Sequence, residues 1–322
     1  MVETKNLQQA IFEKCHKALL NTVPAASLLT ADSLRLSPTV AMFLLAVDGM
    51  TGSPMSGLTE ESLTANFAGR LAAQFAWAVE CIGNEGGKAA MWGEYSKNGQ
   101  GEQSESKRGA DFALVVPVSD HKVKVAIFQA KKVLNESANI SQAGSKHAPD
   151  PQKDKLYDTA QVIAAAAHVP DDESLTWVHY VFWREMNKFP KSISLAQLKP
   201  ILIDTEIVNL SKIDTSKGIF GSFAELLVAA TSKEDASDEK QFVVAGWLHL
   251  DLEAAKVFLP ELCALTDVVF ADEEGQGGDF ANLLAAASDN CLDVKIEPVN
   301  QQSIVAQEVV TRTTKRSRKN SI

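Results

Sequence analysis

Three residues in one short stretch, Asp111, Gln129 and Lys131, have the types and spacing to do chemistry together. The stretch runs from Arg108 to Lys132 and reads as two apolar β-runs, Asp111 to Val118 and Val123 to Ala130. A polar turn, Ser119-Asp120-His121-Lys122, joins them. Side chains in a strand repeat every second residue, so Gln129 and Lys131 share a face where the second run ends. Asp111 stands where the first run begins. A hard cation such as Mg²⁺ or Mn²⁺ takes oxygen ligands. Asp111 offers a carboxylate, Gln129 an amide oxygen and Ala130 a backbone carbonyl. Lys131 is suited to orient an attacking water or to offset charge in a transition state. The chemistry that best unites the set is metal-dependent hydrolysis of a phosphodiester.

The helix expected to complete this site starts at Thr59, a good N-cap, with Leu58 and Leu63 spaced as a hydrophobic staple. It should run to about Cys81. Glu60 and Glu61 occupy its first turn, where the helix dipole favours negative charge. Leu63, Phe67, Leu71, Gln74, Phe75, Ala78 and Ile82 recur three or four residues apart, and Glu60 falls on that stripe, facing the body of the protein. Either glutamate is a candidate to complete a metal shell or hold a metal-bound water. The plainer alternative is a first-turn acid that only supports the dipole.

Beyond this pair of elements, a helix is expected over residues 5–21, and the apolar run Thr39 to Val47 leads into a glycine- and serine-rich loop. Residues 83–109 read as a flexible connection or partly ordered strand, with Met91-Trp92 as an apolar island. Val133 to Pro151 is polar and loop-like, Gln152 to Val169 a helix, and Trp177 to Trp183 an aromatic, β-branched strand. Pro200 to Ile203, Phe242 to Leu250 and Val268 to Phe270 are strand candidates. Phe223 to Ala230, Leu252 to Leu265 and Phe280 to Ala287 are helix candidates, and residues 231–240 form a solvated loop. Helix, hairpin, helix and strand in this order suit an α/β domain with a mixed sheet.

Composition excludes several classes. Of 322 residues, 45% are hydrophobic and 22% charged, as in ordinary globular proteins. Cys15, Cys81, Cys263 and Cys291 are far apart, which suggests neither a zinc site nor a disulfide framework and implies a reducing compartment. The N-terminus carries acids among its apolar residues, unlike a signal peptide, and no apolar run is long enough to span a bilayer. A cytoplasmic protein is expected. The net charge of −10 argues against coating nucleic acid by bulk electrostatics, yet Lys88 to Lys155 holds eleven basic against eight acidic residues. Arg312 to Lys319 is a basic tail, either disordered and solvated or a loose nucleic-acid contact. The six histidines have no paired spacing, and no GxSxG surrounds any serine. His179, inside the aromatic strand, reads as a satisfied core histidine. Tyr157 and Trp92 are either base-stacking candidates or packing.

With these residues in place, the sequence resembles the PD-(D/E)XK nuclease superfamily, the restriction-endonuclease-like fold, over roughly residues 58–185. Glu60-Glu61-Ser62-Leu63-Thr64 on the leading helix, Gly109-Ala110-Asp111-Phe112 and Gln129-Ala130-Lys131 carry the likeness. The aspartate follows Gly-Ala in place of proline, and Gln129 replaces the second acid, a form similar to the Mrr-like branch. Losing that charge should weaken metal affinity. The resemblance implies Asp111 and Gln129, with Ala130 and Glu60, as metal ligands, Lys131 as the catalytic lysine, and Glu60 or Glu61 assisting. Lys107, Arg108, Lys132 and Gln152 are the expected nucleic-acid contacts. It further implies an α/β fold, a mixed β-sheet core flanked by helices, with an additional C-terminal α/β extension. The expected divisions are an N-terminal helical extension (1–57), the nuclease core (58–189), an α/β extension or second small domain (190–304) and the basic tail (305–322). The implied function is cleavage of DNA in preference to RNA, in prokaryotic defence, by a homodimer or with a partner subunit and without a membrane. The alternative is an inactive nuclease-fold protein serving as an interaction or regulatory subunit.

Overall fold

The computed structural model describes residues 9–10, 13–14, 38–52, 57–82, 91–95, 108–118, 122–140, 152–171, 173–203, 212–231, 242–251 and 254–255. The elements below all belong to one unit, Met1–Leu292; the second, Asp293–Ile322, lies outside the described residues. So do Lys107, most of residues 5–21, the hairpin turn 119–121, the loop 232–240, the candidate elements at 268–270 and 280–287, all but 254–255 of the helix expected at 252–265, and the tail 305–322.

Helix α1 (Pro38–Thr51) is buried on almost every side, from Val40 through Val47 and at Met50. A helix that is apolar all round belongs inside a core, which is why its sequence carries no helical period. Helix α2 (Glu60–Ile82) begins where expected: Thr59 Oγ1 accepts from the backbone N–H of Ser62 at 3.2 Å. Leu58, Leu63, Phe67 and Leu71 pack in the same cluster as α1.

The sheet is built round one long strand. Strands β1 (Met91–Glu94), β2 (Phe112–Pro117) and β3 (Lys122–Leu134) run antiparallel in that order. The far edge of β3 is shared. β10 (Trp247–Asp251) pairs antiparallel with residues 122–125, and β5 (Val178–Trp183) pairs parallel with residues 127–132. From β5 the order continues antiparallel through β6 (Lys191–Ser194) to β8 (Gly221–Ser222). The short strands β4 (Ser137–Asn139), β7 (Lys212–Asp214) and β9 (Val243–Val244) complete it. This is a mixed sheet flanked by helices.

One face, carrying Phe112, Leu114, Ala126, Phe128, Val181 and Trp183, packs under α1, α2 and helix α5 (Phe223–Thr231). The other, carrying Ala113, Val125, Ile127, Tyr180 and Phe182, packs under helices α3 (Gln152–Ala166) and α4 (Leu195–Ile203). Burial on both faces makes the central strands read as nearly continuous apolar runs.

Several expectations are corrected. The second strand continues past Ala130 to Leu134 and turns at Asn135 and Glu136, both at positive φ, into β4; the polar segment after Val133 is therefore in part a hairpin. Pro200 to Ile203 is helical, not a strand, because Ser194 and Gln197 form a capping box. Gln197 N–H donates to Ser194 Oγ, and Ser194 N–H to Gln197 Oε1, each at 3.2 Å. Phe242 to Leu250 is two strands, split by Ala245 and Gly246 at positive φ. The region after residue 189 adds β6, β8 and β10 to the same sheet as β2 and β3.

Candidate active site

Asp111 sits at a bend just before β2, positioned by its backbone. Its N–H donates to Phe128 O at 2.9 Å and its carbonyl accepts from Tyr95 N–H at 3.0 Å. Two residues earlier, Gly109 has φ +72°, and a Cβ there would lie 2.6 Å from Gln152 O, so α3 begins directly against this approach. Asp111 is therefore held between the edge of β3 and the start of a helix.

The expected group converges. Asp111 Oδ2 accepts from Gln129 Nε2 at 2.6 Å and from Ala130 N–H at 2.7 Å. Gln129 Nε2 also donates to Ala130 O at 3.1 Å. The amide nitrogen thus stands between a carboxylate oxygen and a backbone carbonyl, the electrostatic place of a cation. The other end, Gln129 Oε1, is buried and has no hydrogen-bond partner among the described residues. A half-turn of the carboxamide exchanges its two ends and sets Oε1 beside Asp111 Oδ2 and Ala130 O. Oxygens of this kind fit a hard divalent cation.

Lys131, two residues on and on the same strand face as Gln129, is almost fully buried and forms an ion pair with Glu60, Nζ to Oε1 at 3.0 Å. Glu60 Oε2 accepts from Lys132 N–H at 3.0 Å, and Lys132 Nζ donates to Leu58 O at 2.7 Å. The Glu60 carbonyl accepts from Thr64 Oγ1, which in turn accepts from Trp183 Nε1 at 3.1 Å. The start of α2 is thereby tied to both β3 and β5.

The other candidates take these places. Glu60 directs both of its carboxylate oxygens to β3, Oε1 to Lys131 Nζ and Oε2 to Lys132 N–H. Glu61 is exposed on the helix, since a step of one residue turns it away from the stripe that Glu60 occupies. Gln152 is buried at the start of α3 and does not stand on the surface as a nucleic-acid contact would. Trp92 is buried and stacked on Phe112, ring centroids 4.2 Å apart, so it is packing and not a base platform. Arg108 is partly exposed, its carbonyl accepting from Thr159 Oγ1 at 2.9 Å. Among the described residues there is no group of three or more histidine, cysteine, aspartate or glutamate side chains suited to a metal.

Tyr157 is half-buried, its hydroxyl donating to Leu195 O at 3.4 Å, and burial with the nearby Asp154 carboxylate raises its pKa to about 12. His179 is buried in the sheet with Nε2 2.7 Å from Gly246 O, a satisfied core histidine.

Two features escaped the sequence. One is an ionic cluster around Glu136, which binds Arg184 Nη2 at 2.7 Å and Lys188 Nζ at 2.6 Å. These cations hold its carboxyl well below the usual range, at about 2, and the cluster ties the β3–β4 turn to the end of β5. The other is Tyr180, a fully buried tyrosine beside Gln129 with an unpartnered hydroxyl.

No protein-family model matches the chain, and no curated protein matches it. Among the described residues, no helix is long and apolar enough to cross a membrane.

Proposed function

We propose that the chain is a divalent-metal-dependent nuclease of the PD-(D/E)XK, restriction-endonuclease-like type, hydrolysing phosphodiester bonds of DNA in preference to RNA. The observation that carries this is the convergence of Asp111 Oδ2, the Gln129 carboxamide and Ala130 O, with Lys131 one strand repeat away. Asp111, Gln129 and Ala130 would hold Mg²⁺ or Mn²⁺. Bound there, such an ion supplies Lewis-acid activation of a water and charge neutralisation at the phosphate. Lys131 Nζ hydrogen-bonds the attacking water or a phosphate oxygen, and Glu60 keeps that ammonium beside the site. Lys132 and Arg108 contribute positive charge at the same end of β3. The overall charge of −10 leaves much of the grip on nucleic acid to a second copy or a partner subunit. Action in the cytoplasm, in prokaryotic defence against foreign DNA, belongs to the same proposal.

A second reading is a fold that has lost the chemistry and serves as an interaction subunit. It is favoured by the site's internal closure: Gln129 satisfies Asp111, and Glu60 satisfies Lys131, with no ion needed.

The deciding experiment is cleavage of plasmid, linear duplex, single-stranded DNA and RNA with Mg²⁺ or Mn²⁺, comparing wild type with Lys131→Ala and Asp111→Ala. Metal-dependent cutting that both variants lose supports the nuclease. Equal background in all three proteins sinks it in favour of the interaction subunit.

A further inference from the structure

Asp111, Gln129 and Tyr180 form one row across three adjacent strands. The antiparallel pair Phe112–Phe128 sets Asp111 opposite Gln129, and the parallel pair Gln129–Tyr180 sets the tyrosine beside it. Strand alternation sends Phe112, Phe128 and Val181 to the opposite face, so all three polar side chains share the face under α3. The next row is Lys131 and Phe182.

Tyr180 is fully buried, with its ring stacked on Phe182 at 6.2 Å. Its hydroxyl has no hydrogen-bond partner among the described residues, and neither has Gln129 Oε1. Two unsatisfied polar atoms on register neighbours are unusual in a core, because each forfeits its hydration without return. Packing alone would be served as well by phenylalanine. Burial first, and then the charges of Tyr157, Asp111, Asp154 and Glu60, push the phenol's pKa upward, so it remains a neutral hydroxyl that can both donate and accept.

A glutamine ligand has a difficulty that a carboxylate lacks. Its two ends are nearly the same size, and only one binds a cation. In the present orientation Nε2 faces Asp111, and Oε1 is left over. When Oε1 turns to Asp111 and Ala130 O, Nε2 turns away from them and needs an acceptor in the buried row. Partners that orient a ligand in this way typically tune affinity by tenfold or more.

Resting on the nuclease reading, we propose that Tyr180 is a positioning residue that selects the ligating orientation of Gln129. Its phenol oxygen accepts from Gln129 Nε2, directly or through one buried water, whenever Oε1 is presented to the cation. Tyr180 is then the companion of glutamine at this position, and a glutamate there would not need it.

The test is a double-mutant cycle on the full chain, reading the Mn²⁺ concentration at half-maximal thermal shift, with Tyr180→Phe and Gln129→Glu alone and together. Tyr180→Phe should fold, since it removes only an unpartnered hydroxyl, and should raise the Mn²⁺ midpoint about tenfold. In the Gln129→Glu background the same change should move the midpoint less than about twofold. An equal effect in both backgrounds, or none in either, overturns the role of Tyr180. A wild-type protein that shows no shift with Mn²⁺ overturns the nuclease reading itself, a distinct result. The chain has three tyrosines, so ring-¹³C labelling gives a second readout without the Phe variant. Mn²⁺ broadens nearby resonances, so Mg²⁺ is used there. It should shift the Tyr180 Cζ signal in wild type and leave it in place in Gln129→Glu; a signal unmoved in wild type that binds Mg²⁺ refutes the proposal.

Discussion

Asp111 lies directly across the β2–β3 ladder from Gln129, and Gln129 Nε2 donates to its Oδ2 at 2.6 Å. The only charge in that buried pair is the aspartate's, and the amide satisfies it. Gln129→Glu places two carboxylates there in the absence of metal, and one must hold its proton. A carboxyl whose pKa is raised in this way destabilises the metal-free variant at neutral pH. The folded state then binds the extra proton, so stability returns as pH falls towards 5. Mg²⁺ should raise the variant's Tm more than wild type's. Thermal melts at pH 5 and 7.5, with and without Mg²⁺, test this; a variant as stable as wild type at pH 7.5 without metal counts against it.

Glu60 is the sole ion-pair partner recorded for the buried Lys131 among the described residues. Glu60→Gln removes that charge and weakens the brace between α2 and β3, at about 1–3 kcal/mol. Any cleavage activity should fall with it. Glu61→Gln, one residue along and exposed, should stay within about 0.5 kcal/mol of wild type. Urea melts of both proteins provide the comparison, and equal losses would contradict the brace.

His179 is buried against Phe128, and burial lowers its pKa to about 4, partly opposed by the Gly246 carbonyl. The unfolded chain titrates this histidine near 6.5, so it binds the proton more readily than the native state does. Stability from this group is present above about pH 6.5 and is lost as pH falls towards 4, by up to about 3 kcal/mol. Glu136, at about 2, acts in a lower window, losing its contribution between the ordinary glutamate value and about 2. The slope of Tm between pH 6.5 and 4.5 should flatten in His179→Gln; a variant as steep as wild type would refute the assignment.

Gly109 and Gly57 both have positive φ, at +72° and +88°, but only Gly109 is crowded. A Cβ there would lie 2.6 Å from Gln152 O and 2.9 Å from Leu156 N, backbone atoms that cannot swing aside. Gly109→Ala should destabilise by about 2–4 kcal/mol and displace Asp111, whereas Gly57→Ala, with open space round it, should lose about 1 kcal/mol. Equal melting temperatures for the two variants would argue against crowding as the cause.

Much of the site was legible in the sequence because its signals are local. Thr59 caps a helix through its own neighbours, and strand alternation alone puts Gln129 and Lys131 on one face. Helical spacing places Glu60 facing inward, yet no local rule brings it to Lys131 and Lys132. Tyr180 was hidden for a similar reason: in a run of Val, His, Tyr, Val, Phe and Trp, a tyrosine reads as packing until the parallel register sets it beside Gln129. The α4 helix is hard to read from sequence although Ser194 and Gln197 stand at capping-box spacing, because Pro200 inside it favours an extended conformation. The turn at Ala245 and Gly246 was lost within an apolar run that lacks an Asn-Gly or Asp-Gly signal.

The divided edge of β3 has a consequence for the order in which the chain assembles. Glu60, Asp111 and Gln129 leave the ribosome well before β5, which supplies Tyr180, and β10 comes later still. At about 5–20 residues per second, the interval between Lys131 and Tyr180 lasts on the order of five seconds. During that interval the strand bearing Gln129 and Lys131 has one bare edge, and the row that includes Tyr180 does not yet exist. A nascent chain therefore completes this group only when distant segments have closed over β3, so truncated products carry Asp111, Gln129 and Lys131 without their setting.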